Sequence, residues 1–210
     1  MTTAVIPDVP VRPRRRSAVL PAVAGLLALV AFATAVVFWN DPLSGASTPE
    51  DAATALEGSS IPFAATLLGA YALLAIAIAG RLADRLARTG ETASTRLIPL
   101  LGAGHVLLLT AAFAAPAAAV TVGGLVFSGG VSASGAETAL ILMNVAHPMS
   151  AWVGAAFLIA VAIAARESRA LRAGSAVFAV GLLLPPIGWA VTYLMPFWFA
   201  AVGIWLWRRD

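Results

Sequence analysis

The chain has 210 residues, 60% hydrophobic and 11% charged, with a mean hydropathy of +0.92. A soluble domain carries about 25% charged residues. This chain therefore has too little charge to cover a soluble globule, too much apolar content for disorder, and no basic surface of the kind a nucleic-acid binder needs, despite a net charge of +3 and a pI near 10.5. All 13 basic residues are arginine, and cysteine is absent, which excludes disulfides, thiolate metal sites and cysteine nucleophiles.

What remains is an all-α polytopic membrane bundle. A span needs about 20 mostly apolar residues, and the long apolar runs lack the two-residue alternation of barrel strands. Residues 1–17 read as a cytoplasmic tail rich in arginine (Arg12, Arg14, Arg15, Arg16), and residues 18–210 as the transmembrane domain. The first span is expected at about 18–39; its apolar stretch exceeds the 7–15 residues of a signal core, so it reads as a retained helix. The next segment, 40–61, holds Asp41, Glu50, Asp51 and Glu57 but no base. Within it Thr48-Pro49-Glu50-Asp51 predicts a short outer helix over Pro49–Glu57. Thr48 caps it, Pro49 opens it, acids sit at its positive end and Gly58 stops it.

The second span is expected at about 63–80. Arg81, Arg85, Arg88 and Arg96 follow it, with Asp84 and Glu91; this loop sets orientation and suits anionic lipid heads. The third span is expected at about 97–121. A Gly/Ser-rich loop, 123–135, is expected to be mobile, and Ser134 with Glu137 forms a capping-box pattern opening the fourth span, about 137–165. The last apolar stretch is split by Pro185-Pro186 into spans at about 170–184 and 189–207.

Arginine placement selects six spans over five. With six, and both termini cytoplasmic, all 13 arginines fall on one side, and Asp41, Glu50, Asp51, Glu57 and Glu137 lie opposite with no base. Trp39 and Trp189 then mark the outer boundary, and Trp205 and Trp207 the inner one. Arginine without lysine, with abundant alanine, points to a bacterial plasma membrane. The bilayer is the obvious partner, anionic lipid at the inner arginine loops and a homo- or hetero-oligomer are further ones, and nucleic acid is excluded.

Away from their ends the spans hold no Asp, Glu or Arg, so intramembrane chemistry rests on His105 and His147. Asn144, His147 and Ser150 follow at i, i+3 and i+6 and share a helical face, joined by Met143 four residues before His147. Pro148 leaves the Asn144 carbonyl without its helical donor. These four residues are the candidate polar pocket, with His105 a secondary candidate; polar bonding between helices is the competing use. No cofactor is predicted. A haem shared by His105 and His147 would need both at one depth, and counting from Arg96 and Ala165 separates them by ~14 Å. Copper would draw on His147 with Met143, Met149 and Met195, and methionine is equally a gap-filler. No catalytic set appears: no G-x-S-x-G, H-E-x-x-H or Walker loop.

Several stretches carry a resemblance: the N-terminal arginine cluster, Ser47-Thr48-Pro49-Glu50-Asp51, Arg166-Glu167-Ser168-Arg169-Ala170-Leu171-Arg172, Leu184-Pro185-Pro186-Ile187-Gly188-Trp189, Pro196-Phe197-Trp198 and Trp207-Arg208-Arg209. Together they resemble small six-helix bacterial integral membrane proteins of a domain-of-unknown-function family. The resemblance implies six spans and brings no activity, cofactor or site residue with it. The leading expectation is a non-enzymatic accessory, scaffold or envelope component. The alternative is a carrier or binder of a small molecule or cation, with an outer-facing pocket at His147; an enzyme ranks third. A cavity reaching His147 favours the binder, and a dry, packed His147 favours the scaffold.

Overall fold

A computed structural model describes residues 19–39, 43, 45–90, 92–126, 129–185 and 187–209. The tail 1–17 and its arginine cluster lie outside them. Among the described residues the structure is helical, without strands: α1 Leu20–Trp39, α2 Pro49–Leu56, α3 Ile61–Ala87, α4 Ala93–Leu125, α5 Ala133–Ala164, α6 Arg169–Leu183, α7 Gly188–Thr192 and α8 Met195–Arg209. Among the described residues five stretches are long and apolar enough to cross a membrane: Leu20–Trp39, Ile61–Ala87, Ala93–Gly124, Ala133–Ala164 and Gly188–Arg209. α6, with 15 residues, reaches only ~22 Å at helical rise. Large apolar side chains such as Leu73, Val37, Leu100 and Val177 are strongly exposed. Lipid covers such residues at no cost, whereas water does not.

The short helix α2 forms where the Thr48-Pro49 signal places it. The Thr48 hydroxyl accepts from the Asp51 amide at 3.1 Å, and the Asp51 carboxylate accepts from the Ser47 hydroxyl at 2.8 Å and the Thr48 amide at 3.2 Å. The box closes because Asp51 stands three residues after the cap. The Ser47 hydroxyl, with Thr48 and the backbone behind it, holds the Asp51 carboxyl below the usual value. Gly58, at φ +70°, turns the chain after α2.

α5 differs from expectation at its start. Its cap is Ser132, whose hydroxyl accepts from the Gly135 amide at 3.1 Å, so Ser134 and Glu137 form no capping box. Both Ser132 and Ser134 precede good helix formers. Ser132 takes the role because the chain behind it is anchored: Val131 is buried, and its amide donates to the Glu57 carboxylate at 3.2 Å. The 129–132 segment is thus tied to α2, although the Gly/Ser content of 123–135 predicts mobility.

α4 and α5 have 33 and 32 residues. Phe113 meets Trp39 at the end of α1, with ring centroids 4.6 Å apart, and α4 continues twelve residues, ~18 Å, beyond it. α2 packs on these projecting ends, burying Ala52, Ala53 and Leu56 with Ala117, Val131 and Ala136. The Ser60 hydroxyl donates to the Phe38 carbonyl and ties the start of α3 to the end of α1.

In the bundle, α1 packs on α3 and α8, α3 on α4, α4 on α5, and α5 on α6. Arg85 near the end of α3, Ser168 at the start of α6, and Trp205 and Arg209 at the end of α8 surround one small cleft. α6 therefore leaves the end of the bundle to which α8 returns. The core contains Tyr71, Ile78, Leu82, Phe157 and Phe199, all fully buried. Trp198 is buried with its ring 5.3 Å from that of Phe157. Ala151, Gly154 and Ala155 are buried on α5 and let α4 approach closely.

Candidate functional site

Five elements, α1, α3, α4, α5 and the α7 region, leave a cavity of about 790 Å³ between them, with Leu68 supplied by α3. α1 contributes Phe32, Ala35, Val36 and Trp39; α4 contributes Phe113; α5 contributes Met143, Asn144, His147 and Pro148; the α7 region contributes Trp189 and Tyr193. The cavity exists because α1 packs on α3 and α8 but has no substantial interface with α5.

The walls are aromatic. The His147 ring is edge-on to Tyr193 at 5.6 Å and tilted against Phe113 at 5.9 Å. Tyr193 is edge-on to Phe113 at 6.3 Å, to Phe32 at 6.0 Å and to Trp189 at 6.2 Å. These are geometries that ring quadrupoles favour. Among the described residues, none lining the cavity is an aspartate, glutamate or arginine. The His147 Nε2 is buried and has no hydrogen-bond partner among the described residues.

Of the four residues the sequence grouped at this pocket, Met143, Asn144 and His147 line the cavity and Ser150 does not. Ser150 is buried behind it, and its hydroxyl donates to the His147 carbonyl at 2.7 Å. The Asn144 amide donates to the Leu140 carbonyl at 2.9 Å. Both side chains thus bond their own helix, and α5 runs unbroken through Pro148.

His105 is fully buried and does not line the cavity. Its Nδ1 lies 2.8 Å from the Ser150 carbonyl. A carbonyl only accepts, so Nδ1 carries the hydrogen, and the buried Nε2 has no partner among the described residues. This contact corrects the expected depth gap. The count from Arg96 and Ala165 assumed that two helix ends share one level. From the helix ends themselves, His105 lies twelve residues into α4 and Ser150 fourteen residues before the end of α5, ~18 and ~21 Å. The two histidines are therefore close, with Ser150 linking them through its carbonyl and hydroxyl. They do not face a common space that a haem would fill. The methionines are not gathered either: Met149 points outward, Met195 is fully buried, and only Met143 joins His147 at the cavity. Among the described residues no group of three or more His, Cys, Asp or Glu is placed to hold a metal.

No family model, curated protein or solved structure matches the chain.

The residues that sequence reasoning missed are the walls. Trp39 and Trp189 read as interfacial markers, and Phe32 and Phe113 as ordinary span residues. Tyr193 offered a signal, because it is one of only two tyrosines in the chain. A phenol within an apolar span is a polar tip that needs an explanation.

Proposed function

We propose that the protein is an integral membrane protein of a bacterial plasma membrane that binds a small molecule in the cavity at His147. The observation that carries this reading is the cavity itself: about 790 Å³, walled by aromatic rings, with His147 and Asn144 among its lining residues. Its size falls within the ~300–1,000 Å³ of small-molecule sites, and a largely apolar lining with few polar groups is their usual chemistry. A scaffold has no need of such a space, and a bundle with nothing to bind gains by closing it.

The accompanying topology is six crossings with both termini inside. Its support is the meeting of Arg85, Ser168 and Arg209 at one end, and of Glu57 with Val131 at the other. α6 is short for a crossing, and snorkelling of Arg169 and Arg172 at its base makes up part of the difference.

The test is mass spectrometry of small molecules carried by protein purified from its native membrane. Wild type is compared with Val36→Trp, which places an indole in the cavity from an exposed position. The proposal expects one compound in near-stoichiometric amount with wild type and its loss from the variant. Identical profiles would count against it.

A further inference from the structure

The cavity opens sideways. Its lining residues Val36 and Trp189 are 44% and 59% exposed, and Asn144 and Pro148 are exposed as well. They come from three elements and rim one mouth between α1 and α5. The surface around that mouth is exposed and apolar: Val37 beside Val36 and Val145 beside Asn144. With that surface embedded in a bilayer, a ligand leaving through the mouth meets hydrocarbon and not water.

The charge pattern narrows the ligand further. A buried ion needs a partner charge, and its transfer from water costs far more than that of a neutral polar group. Among the described residues the lining offers neither a carboxylate for a cation nor an arginine for an anion. It offers flat aromatic surface and His147, whose ring supplies one hydrogen-bond donor and one acceptor when neutral.

We infer that the cavity takes an uncharged, bilayer-dissolved ring compound bearing a carbonyl or hydroxyl oxygen, which enters laterally between α1 and α5 and bonds through that oxygen to His147. The inference rests on reading the cavity as a binding site and adds the ligand class and the route. The ring packs among Phe113, Tyr193 and Trp189, and a hydrocarbon tail trails through the mouth into the lipid.

The test uses the full chain in phosphatidylcholine nanodiscs, with empty nanodiscs subtracted. The probe is 2-methyl-1,4-naphthoquinone. The comparators are 2-methylnaphthalene, which lacks the oxygens, naphthalene-2-sulfonate and a naphthyl-trimethylammonium. The expected result is saturable binding of one quinone per chain. 2-Methylnaphthalene binds about tenfold more weakly, the loss of one hydrogen bond in a dry site. His147→Ala lowers quinone affinity to that level, and His147→Gln, which keeps a donor and an acceptor, restores most of it. Val36→Trp abolishes binding while leaving the fold intact, since that side chain is exposed. Tighter binding of either charged comparator, or quinone affinity unchanged in His147→Ala, overturns the inferred ligand class and leaves the binding site standing. Binding of all four probes at the level of empty nanodiscs, with phospholipid the sole molecule recovered from protein of the native membrane, overturns both.

Discussion

Replacing Gly154 by alanine tests the α4–α5 contact that places His105. A Cβ at position 154 would stand 2.7 Å from the His105 Nδ1, 3.1 Å from Cε1 and 3.2 Å from Cγ. The imidazole is fully buried and held by the Ser150 carbonyl, so it cannot swing aside without breaking that bond. Overpacking of this kind costs about 1–3 kcal/mol, and a buried donor left unpaired costs about 1–3 kcal/mol more. Gly154→Ala is therefore expected to destabilise the bundle by about 2–4 kcal/mol, since partial relaxation relieves some of each. The assay is reversible unfolding in mixed micelles, followed by tryptophan fluorescence. The cause is isolated by repeating the substitution in His105→Ala, where the ring is gone. There Gly154→Ala should cost less than about 1 kcal/mol, giving a coupling of about 1–3 kcal/mol between the two positions. A cost below ~0.5 kcal/mol in the wild-type background, or equal costs in both backgrounds, would refute the packing argument.

Three further outcomes follow from the same structure. The Tyr71 hydroxyl is fully buried without a partner among the described residues, so Tyr71→Phe should stabilise the protein by about 1 kcal/mol in the same unfolding assay; a loss of that size would show that the hydroxyl is bonded. The Asp51 carboxyl is held below its ordinary value of 3.8 by the Ser47 and Thr48 contacts. Its contribution to the α2 cap is thus fully present above that value and is lost as pH falls through the lowered one; NMR of the Ser47 and Thr48 amides should show this transition, and Asp51→Asn should remove it. Because the chain has no cysteine, single cysteines report topology directly. A water-soluble maleimide applied to intact cells should label Ser47→Cys and Ile187→Cys and leave Thr89→Cys unlabelled. Labelling of Thr89→Cys instead would invert the proposed orientation, and protection of Ile187→Cys would make α6 to α8 a re-entrant hairpin.

The legible features were local ones. Thr48, Pro49 and Asp51 lie within one turn of one another, so the start of α2 depends on no distant contact. His147 and Asn144 stood out because polar side chains are costly in an apolar run. The aromatic walls were not legible, because Phe32, Phe113 and Tyr193 come from three separate parts of the chain and each is unremarkable in its own helix. Their meeting depends on the absence of an α1–α5 interface, which is a property of the whole bundle. The register of His105 failed for a related reason: rise per residue is known, but the relative level of two helix ends is set by packing. Ser132 displaced Ser134 as the cap of α5 through Glu57, 74 residues from the Val131 amide it anchors.

The most direct measurement is an experimental density map of the protein taken from its native membrane without added ligand. The account predicts density between Phe113, Tyr193 and His147, with a compact head within hydrogen-bonding distance of the imidazole and an extension passing Val36 into the lipid. A cavity filled by inward collapse of Trp189 and Tyr193, or occupied by a phospholipid acyl chain alone, would contradict it.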